Sequence, residues 1–176
     1  MSSLQKFHRR TQSVGPTTAI GSELRSGAGF WLGTAGDGIS KMYVAPKSSE
    51  VQKAWGSQGT SRGTVSTTNG LANTNTLAGF GEAAHPAAYH CKNLTHGGYN
   101  TWYLPAVNEL ITCYSNKSAT PFANADGFVV TSGPYPYWSS TEVGNYARAM
   151  YMENGAYYVR LKSNGGYNVR AVRRVV

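Results

Sequence analysis

The sequence predicts an α+β domain, in which helices and strands are segregated along the chain rather than alternating. Three observations point there. Two helical stripes sit together in the middle of the chain, Asn-Gly turns separate aromatic and β-branched runs in the last third, and an aromatic hairpin signal lies near the start.

The 176 residues suffice for one domain and an arm, and can bury a core without metal or disulfide support. Charged residues make up 14%, against ~25% for an average soluble domain, which excludes coiled coils and Lys/Glu-rich bundles. The 12% aromatic content argues against disorder. No apolar run approaches the about 20 residues that span a membrane, and no apolar stretch of an export signal follows the basic N-terminus.

Residues 1–27 read as an irregular arm. Its apolar residues follow no helical or strand period, so it is expected to dock on a partner, with Lys6, Phe7, Arg9 and Arg10 as the docking residues. The domain proper is residues 28–176. Aromatic and branched runs at 29–33 and 39–46 flank Gly36-Asp37-Gly38 and predict a hairpin, ended by Pro46. Residues 57–75 are nearly all Gly, Ser, Thr and Asn and read as a surface loop leading into a helical region.

Pro86 suits a first helical turn, and Ala87, Cys91 and Leu94 recur on one face until Gly97-Gly98 stops the helix. A second helix starts at Pro105, with Ala106, Leu110, Cys113 and Tyr114 on its buried stripe and Glu109 near its positive end. Both cysteines fall on buried stripes, either as two thiols or as a disulfide joining the helices. Beyond Gly127, stretches 128–130, 137–141, 146–152, 156–162 and 167–175 read as strands, and Asn154-Gly155 and Asn164-Gly165 as tight turns. The last three form a predicted three-stranded meander. Alternation puts Tyr157, Val159 and Leu161 on one face and Tyr158, Arg160 and Lys162 on the other, open one, with Asn168 and Arg170 likewise set against Val169 and Ala171.

The net charge of +8 is concentrated at the two ends. Residues 1–30 hold four basic and one acidic residue, residues 31–142 six of each, and residues 143–176 six basic and one acidic, giving +3, 0 and +5. The pI invites a nucleic-acid reading, yet no recognition motif accompanies it, and Arg170, Arg173 and Arg174 fall on a strand where they can pair within the fold.

His85-Pro86-Ala87-Ala88, Gly97-Gly98-Tyr99, Trp102-Tyr103-Leu104-Pro105, Tyr137-Trp138-Ser139-Ser140-Thr141 and Val169-Arg170-Ala171-Val172-Arg173 together resemble one family. It is the domain found at the C-terminus of bacterial collagen-like adhesins and in phage tail and other virion proteins, and the resemblance runs over roughly residues 28–176. It implies a C-type-lectin-like fold, with two helices beside antiparallel sheets and the chain ends close together. It also implies attachment to surface glycans or host receptors and a homo-oligomeric, often trimeric, assembly. Only residues 116–137 separate the second helix from the Tyr-Trp-Ser-Ser motif, where tail members carry a longer insert, so a receptor role resting on that insert is not implied.

His85, His90, Cys91 and His96 crowd together without the spacing of a metal site, and Cys91 faces the core, where a nucleophilic thiolate is not formed. The carboxylates near the meander are too few for calcium. No cofactor, metal or enzymatic activity is expected. The candidate binding residues are Asn145, Tyr146, Arg148, Tyr151, Asn154, Tyr158, Arg160, Asn164, Tyr167 and Asn168. Tyr offers large rigid contacts, Asn adaptable hydrogen bonds and Arg a charged fork. The competing explanation is that Tyr favours strands and Asn-Gly makes turns. The expectation is a bacteriophage virion protein that docks on other virion proteins by its arm and displays this face; a glycan- or receptor-binding adhesin is the alternative.

Overall fold

The computed structural model describes residues 19–23, 27–129 and 135–175; the arm residues Lys6, Phe7, Arg9 and Arg10 lie outside them. The described end of the arm is attached to the domain. Gly21 N–H donates to the Trp31 carbonyl at 2.7 Å, and Gly21 carbonyl accepts from Phe122 N–H at 3.0 Å.

The hairpin forms as expected from Phe30–Thr34 (β1) and Lys41–Val44 (β2), with Phe30 opposite Val44. Asp37 shapes its turn by accepting from Ile39 N–H, Ser40 N–H and the Ser40 hydroxyl. A short strand, Val51–Gln52 (β3), follows Pro46 and one 3-10 turn.

The polar stretch read as loop instead runs into a helix, Gly70–Ala78 (α1). Asn and Thr are weak helix formers, so this helix depends on its contacts. The Asn69 side chain caps it by accepting from Ala72 N–H at 3.1 Å, and the Thr74 hydroxyl exchanges two hydrogen bonds with the Leu104 backbone. Pro86–Asn93 (α2) begins with Pro86 in its first turn, as expected, while Leu94 already lies at its C-cap.

Val107–Ser115 (α3) starts just after the expected Pro105. Glu109, fully buried in its first turn, accepts from Ala106 N–H at 2.8 Å, Gly70 N–H at 3.2 Å and the Tyr103 hydroxyl at 2.8 Å. One carboxylate thus fastens the starts of α1 and α3. A Cβ at Gly70 would sit 2.3 Å from that carboxylate, which is why glycine opens α1. Cys91 and Cys113 are free thiols in the core, and burial raises the pKa of both. A short helix, Phe122–Ala125 (α4), follows; of the strand expected at 128–130, Phe128 joins the core and neither it nor Val129 is in a strand, while residue 130 lies outside the described residues.

Tyr137–Val143 (β4), Tyr146–Met150 (β5), Tyr157–Leu161 (β6), Asn168–Val169 (β7) and Val172–Val175 (β8) complete the fold. One sheet has the order β1-β2-β8 and the other β3-β7-β4-β5-β6. The predicted meander is corrected by this order. β4, β5 and β6 run as successive antiparallel neighbours, whereas residues 167–175 leave β6 and split between the sheets. The reason is burial: Val169, Ala171 and Val172 are enclosed only between β3, β4 and β2.

Two clusters form the core, one around Leu32, Met42, Leu110 and Phe122, the other around Trp55, Trp102 and Trp138. Each of those indole N–H groups donates to a carbonyl, of Ser139, Tyr99 and Lys53 respectively. Among the described residues no helix is long and apolar enough to cross a membrane.

Candidate functional site

The β5–β6 hairpin carries most of the candidate binding residues, and a buried ion pair sets its position. Lys162, just past β6, is fully buried rather than on the open face where alternation put it. Its ammonium donates to Glu142 Oε1 at 2.5 Å, the Thr60 carbonyl at 2.6 Å and the Gly144 carbonyl at 2.9 Å, and lies 4.8 Å from the Trp55 ring centre. All three ammonium protons therefore have acceptors.

Glu142, on β4, gathers the donors of the preceding loop. Its carboxylate accepts from the Ser61 hydroxyl and from the backbone N–H of Arg62, Gly63 and Thr64, at 2.7–3.2 Å. A loop of Gly, Ser and Thr with little apolar surface is thereby held against the sheet by one charge. Behind it, Arg62 Nε donates to His85 Nε2 at 3.2 Å, while the His85 ring packs on Trp55 and Phe80. Burial, joined by the Arg62 and Lys162 cations, holds His85 below its ordinary value of 6.5. Burial alone would raise Glu142, but the Lys162 ammonium and the Arg62 and Ser61 donors outweigh it and hold the carboxyl below 4.5.

Both shifts act in one direction. A group whose folded pKa is depressed adds stability above its unfolded pKa and loses it as pH falls. Melting temperature should be level between about pH 7 and 8, and decline first below 6.5 as the unfolded chain protonates His85 while the folded site resists it. It should decline again below 4.5 for the same reason at Glu142 and Asp37, partly offset by Glu109, whose pKa burial raises. A pH series of thermal melts checks this, and His85→Gln should remove the first decline while keeping an acceptor for Arg62.

Above this anchor, the hairpin displays Asn145, Tyr146, Asn154 and Tyr158, with Asn164 exposed in the turn after it. Arg148, Tyr151 and Arg160 are half-buried. Arg160 lies 4.8 Å from the Tyr158 ring centre, and its Nη2 is 3.4 Å from the Tyr151 hydroxyl, a contact that raises its pKa. Arg148 lies 5.2 Å from the Tyr157 ring centre. Each guanidinium is thus oriented by an aromatic face, an interaction of about 0.5–1 kcal/mol at exposed sites.

Tyr167 and Asn168 are buried beneath this surface rather than exposed on it, with Tyr167 still in reach of Arg160. Tyr167 packs on Trp138 at 4.8 Å, and Asn168 is buried in β7, donating to the Tyr135 carbonyl at 2.9 Å. Their strand left the meander, so the alternation carried them inward. Arg170 is likewise buried, beside Glu50 and Asp126 at 3.5 Å, and Arg173 donates to the Ala28 carbonyl at 3.0 Å. The basic C-terminal end therefore presents chiefly Arg148 and Arg160, with Arg174 3.5 Å from Asp37.

Three residues excluded from the candidate set join it. Tyr157, Val159 and Leu161, assigned to the inner face, are all exposed, because β6 lies at the sheet edge and no described element covers it. They adjoin Tyr146 through the Tyr146–Leu161 pair of the hairpin that the Asn154-Gly155 turn predicted; what the sequence did not show is that no described strand follows β6 in its sheet.

Elsewhere, the histidines diverge: His85 is buried, whereas the His90 ring reaches the Ser49 carbonyl at 3.1 Å. A cavity of about 500 Å³ opens between Lys117, Asn124, Phe128 and Glu153. The Lys117 ammonium is engaged there by the carbonyls of Met152 and Glu153 at 2.5 and 3.2 Å.

The profile of the Lcl C-terminal domain family matches residues 53–173, which include the anchor and the whole β5–β6 hairpin. No curated protein matches the chain.

Proposed function

The chain belongs to the Lcl C-terminal domain family, and from that premise we propose that it is a non-enzymatic display protein of a bacteriophage virion, with a C-type-lectin-like domain that binds a macromolecular partner through the β5–β6 hairpin. The observation that carries the binding reading is the exposed Tyr146 and Tyr158 beside the aromatic-oriented Arg148 and Arg160. Exposed aromatics with Arg are the residue types that dominate binding energy when a partner covers them. The pairing of β2 with β8, which brings the last strand beside the first hairpin, supports the lectin-like reading.

The virion setting rests on the motif resemblance and on the basic segment ahead of residue 19, which supplies an attachment device. The alternative, a glycan- or receptor-binding adhesin, draws on the electrostatic attraction of Arg148 and Arg160 to an acidic surface, so its binding would weaken with salt.

The test is binding of the purified protein to bacterial host cells and to phage particles, at low and high salt. Tyr146→Ala with Arg148→Ala should lower binding at least tenfold with unchanged melting temperature. Binding by this variant equal to that of the unaltered protein removes the hairpin as the site. Deleting residues 1–18 should leave a folded domain that no longer enters particles, and normal incorporation overturns the attachment role.

A further inference from the structure

β6 ends the strand order β3-β7-β4-β5-β6, so one of its edges has no strand beside it. The other sheet edges are managed differently. β3 is only two residues long, Glu23 bridges to Phe30 on β1, and Tyr103 bridges to Val172 on β8. Among the described residues, β6 is the long uncovered edge, and both of its faces are open: Tyr157 is 43% exposed, Tyr158 50%, Val159 45% and Leu161 53%.

The backbone direction follows from the hairpin. Tyr151 N–H donates to the Ala156 carbonyl, so residues 156, 158 and 160 aim their backbone groups at β5, while 157, 159 and 161 aim theirs at the open edge. The Val159 carbonyl accordingly accepts from the Arg160 side chain at 3.2 Å rather than from β5.

We infer that β6 pairs antiparallel with β6 of a second copy of this chain, about a two-fold axis at Val159. A two-fold axis requires a self-complementary strand, and Tyr157-Tyr158-Val159-Arg160-Leu161 reads as one. Val159 meets its own copy, Tyr157 meets Leu161 and Tyr158 meets Arg160, with aromatic, aliphatic and cation–π pairs at every position and no like charges directly opposed. The outward groups of 157, 159 and 161 are the ones that this register bonds, the Leu161 carbonyl with its second lone pair, since it already accepts from Asn164 N–H at 3.2 Å. The two Arg148 residues, each one strand inward, stand three strand spacings apart, about 14 Å, beyond the Debye length of about 8 Å.

This pairing goes beyond the display reading and leaves Tyr146 and Arg148 on β5 free to bind. A five-residue ladder buries less than the about 1,200 Å² of stable interfaces, so the dimer is weak and concentration-dependent.

The test is sedimentation of the full chain from 5 to 500 μM together with engineered thiols. The dimer fraction should rise across this range, and Val159→Lys, which sets two like charges on the axis, should abolish it without changing the circular dichroism spectrum. Directly paired residues lie about 5.5 Å apart at Cα, within disulfide reach. Val159→Cys should therefore cross-link under mild oxidation, and Asn164→Cys, exposed but off the strand, should not. A monomer at 500 μM, a dimer that survives Val159→Lys, or equal cross-linking of both thiols overturns the inference. Cell or particle binding by the unaltered chain at 5 μM, where the monomer prevails, reports the display role separately.

Discussion

Lys162→Met is expected to destabilise the domain by about 3–5 kcal/mol, because it leaves the Glu142 carboxylate buried without its counter-ion. Both side chains are fully buried, so water cannot replace the lost partner. The effect should spread beyond the pair. Glu142 holds the backbone of residues 62–64, and Lys162 holds the carbonyls of Thr60 and Gly144, so the loop and the β4–β5 turn lose their common fastening together. Denaturant melts should register the loss, and amide exchange should rise at residues 60–64 before it rises in α3. The double variant Lys162→Met with Glu142→Leu should recover part of the stability, since no bare charge remains buried. If Lys162→Met costs under about 1 kcal/mol, the pair is no anchor and the account of how the hairpin is positioned fails.

The second large effect is expected at Arg170. Its guanidinium sits beside Glu50 and Asp126 and against Phe122 and Phe128, and its Nε–H donates to the Ala45 carbonyl at 2.8 Å. Asp126 in turn accepts from Lys47 N–H. One side chain therefore joins the end of β2, the 3-10 turn and the segment around α4. Arg170→Met keeps much of the aliphatic volume but strands two carboxylates and a carbonyl, and should cost about 3 kcal/mol. Arg170→Lys should recover only part, because a point charge cannot reproduce a fork that meets several acceptors at once. Chemical denaturation of the three proteins checks the order; full rescue by lysine would mean that charge alone matters there.

The reading of the sequence succeeded where the signal is local. Asp37 between glycines gave the β1–β2 turn, Pro86 gave the start of α2, and the Leu110 and Cys113 stripe gave α3. It did not reach α1, whose Asn and Thr residues become helical through the Asn69 cap and the Thr74 bonds to Leu104. Of the candidate site, the residues on β5, β6 and their turns were legible from composition and turn chemistry. Tyr167 and Asn168 were not, because alternation within a strand fixes which residues share a face and says nothing of which face is covered.

The α+β class, the two principal helices, the hairpin and the Tyr/Arg/Asn-rich β5–β6 segment were determined by the sequence itself, since period, capping and turn chemistry act over a few neighbouring residues. Tertiary structure alone decided that the last strand leaves the meander, that Lys162 turns inward, which partners up to 145 residues away meet Arg170 and Arg173, whose pairing within the fold the sequence had suggested, and that Val159 and Leu161 stay outside. These outcomes depend on strand order and on where a buried charge finds its partner, contacts made between segments that carry no mark of one another in the chain.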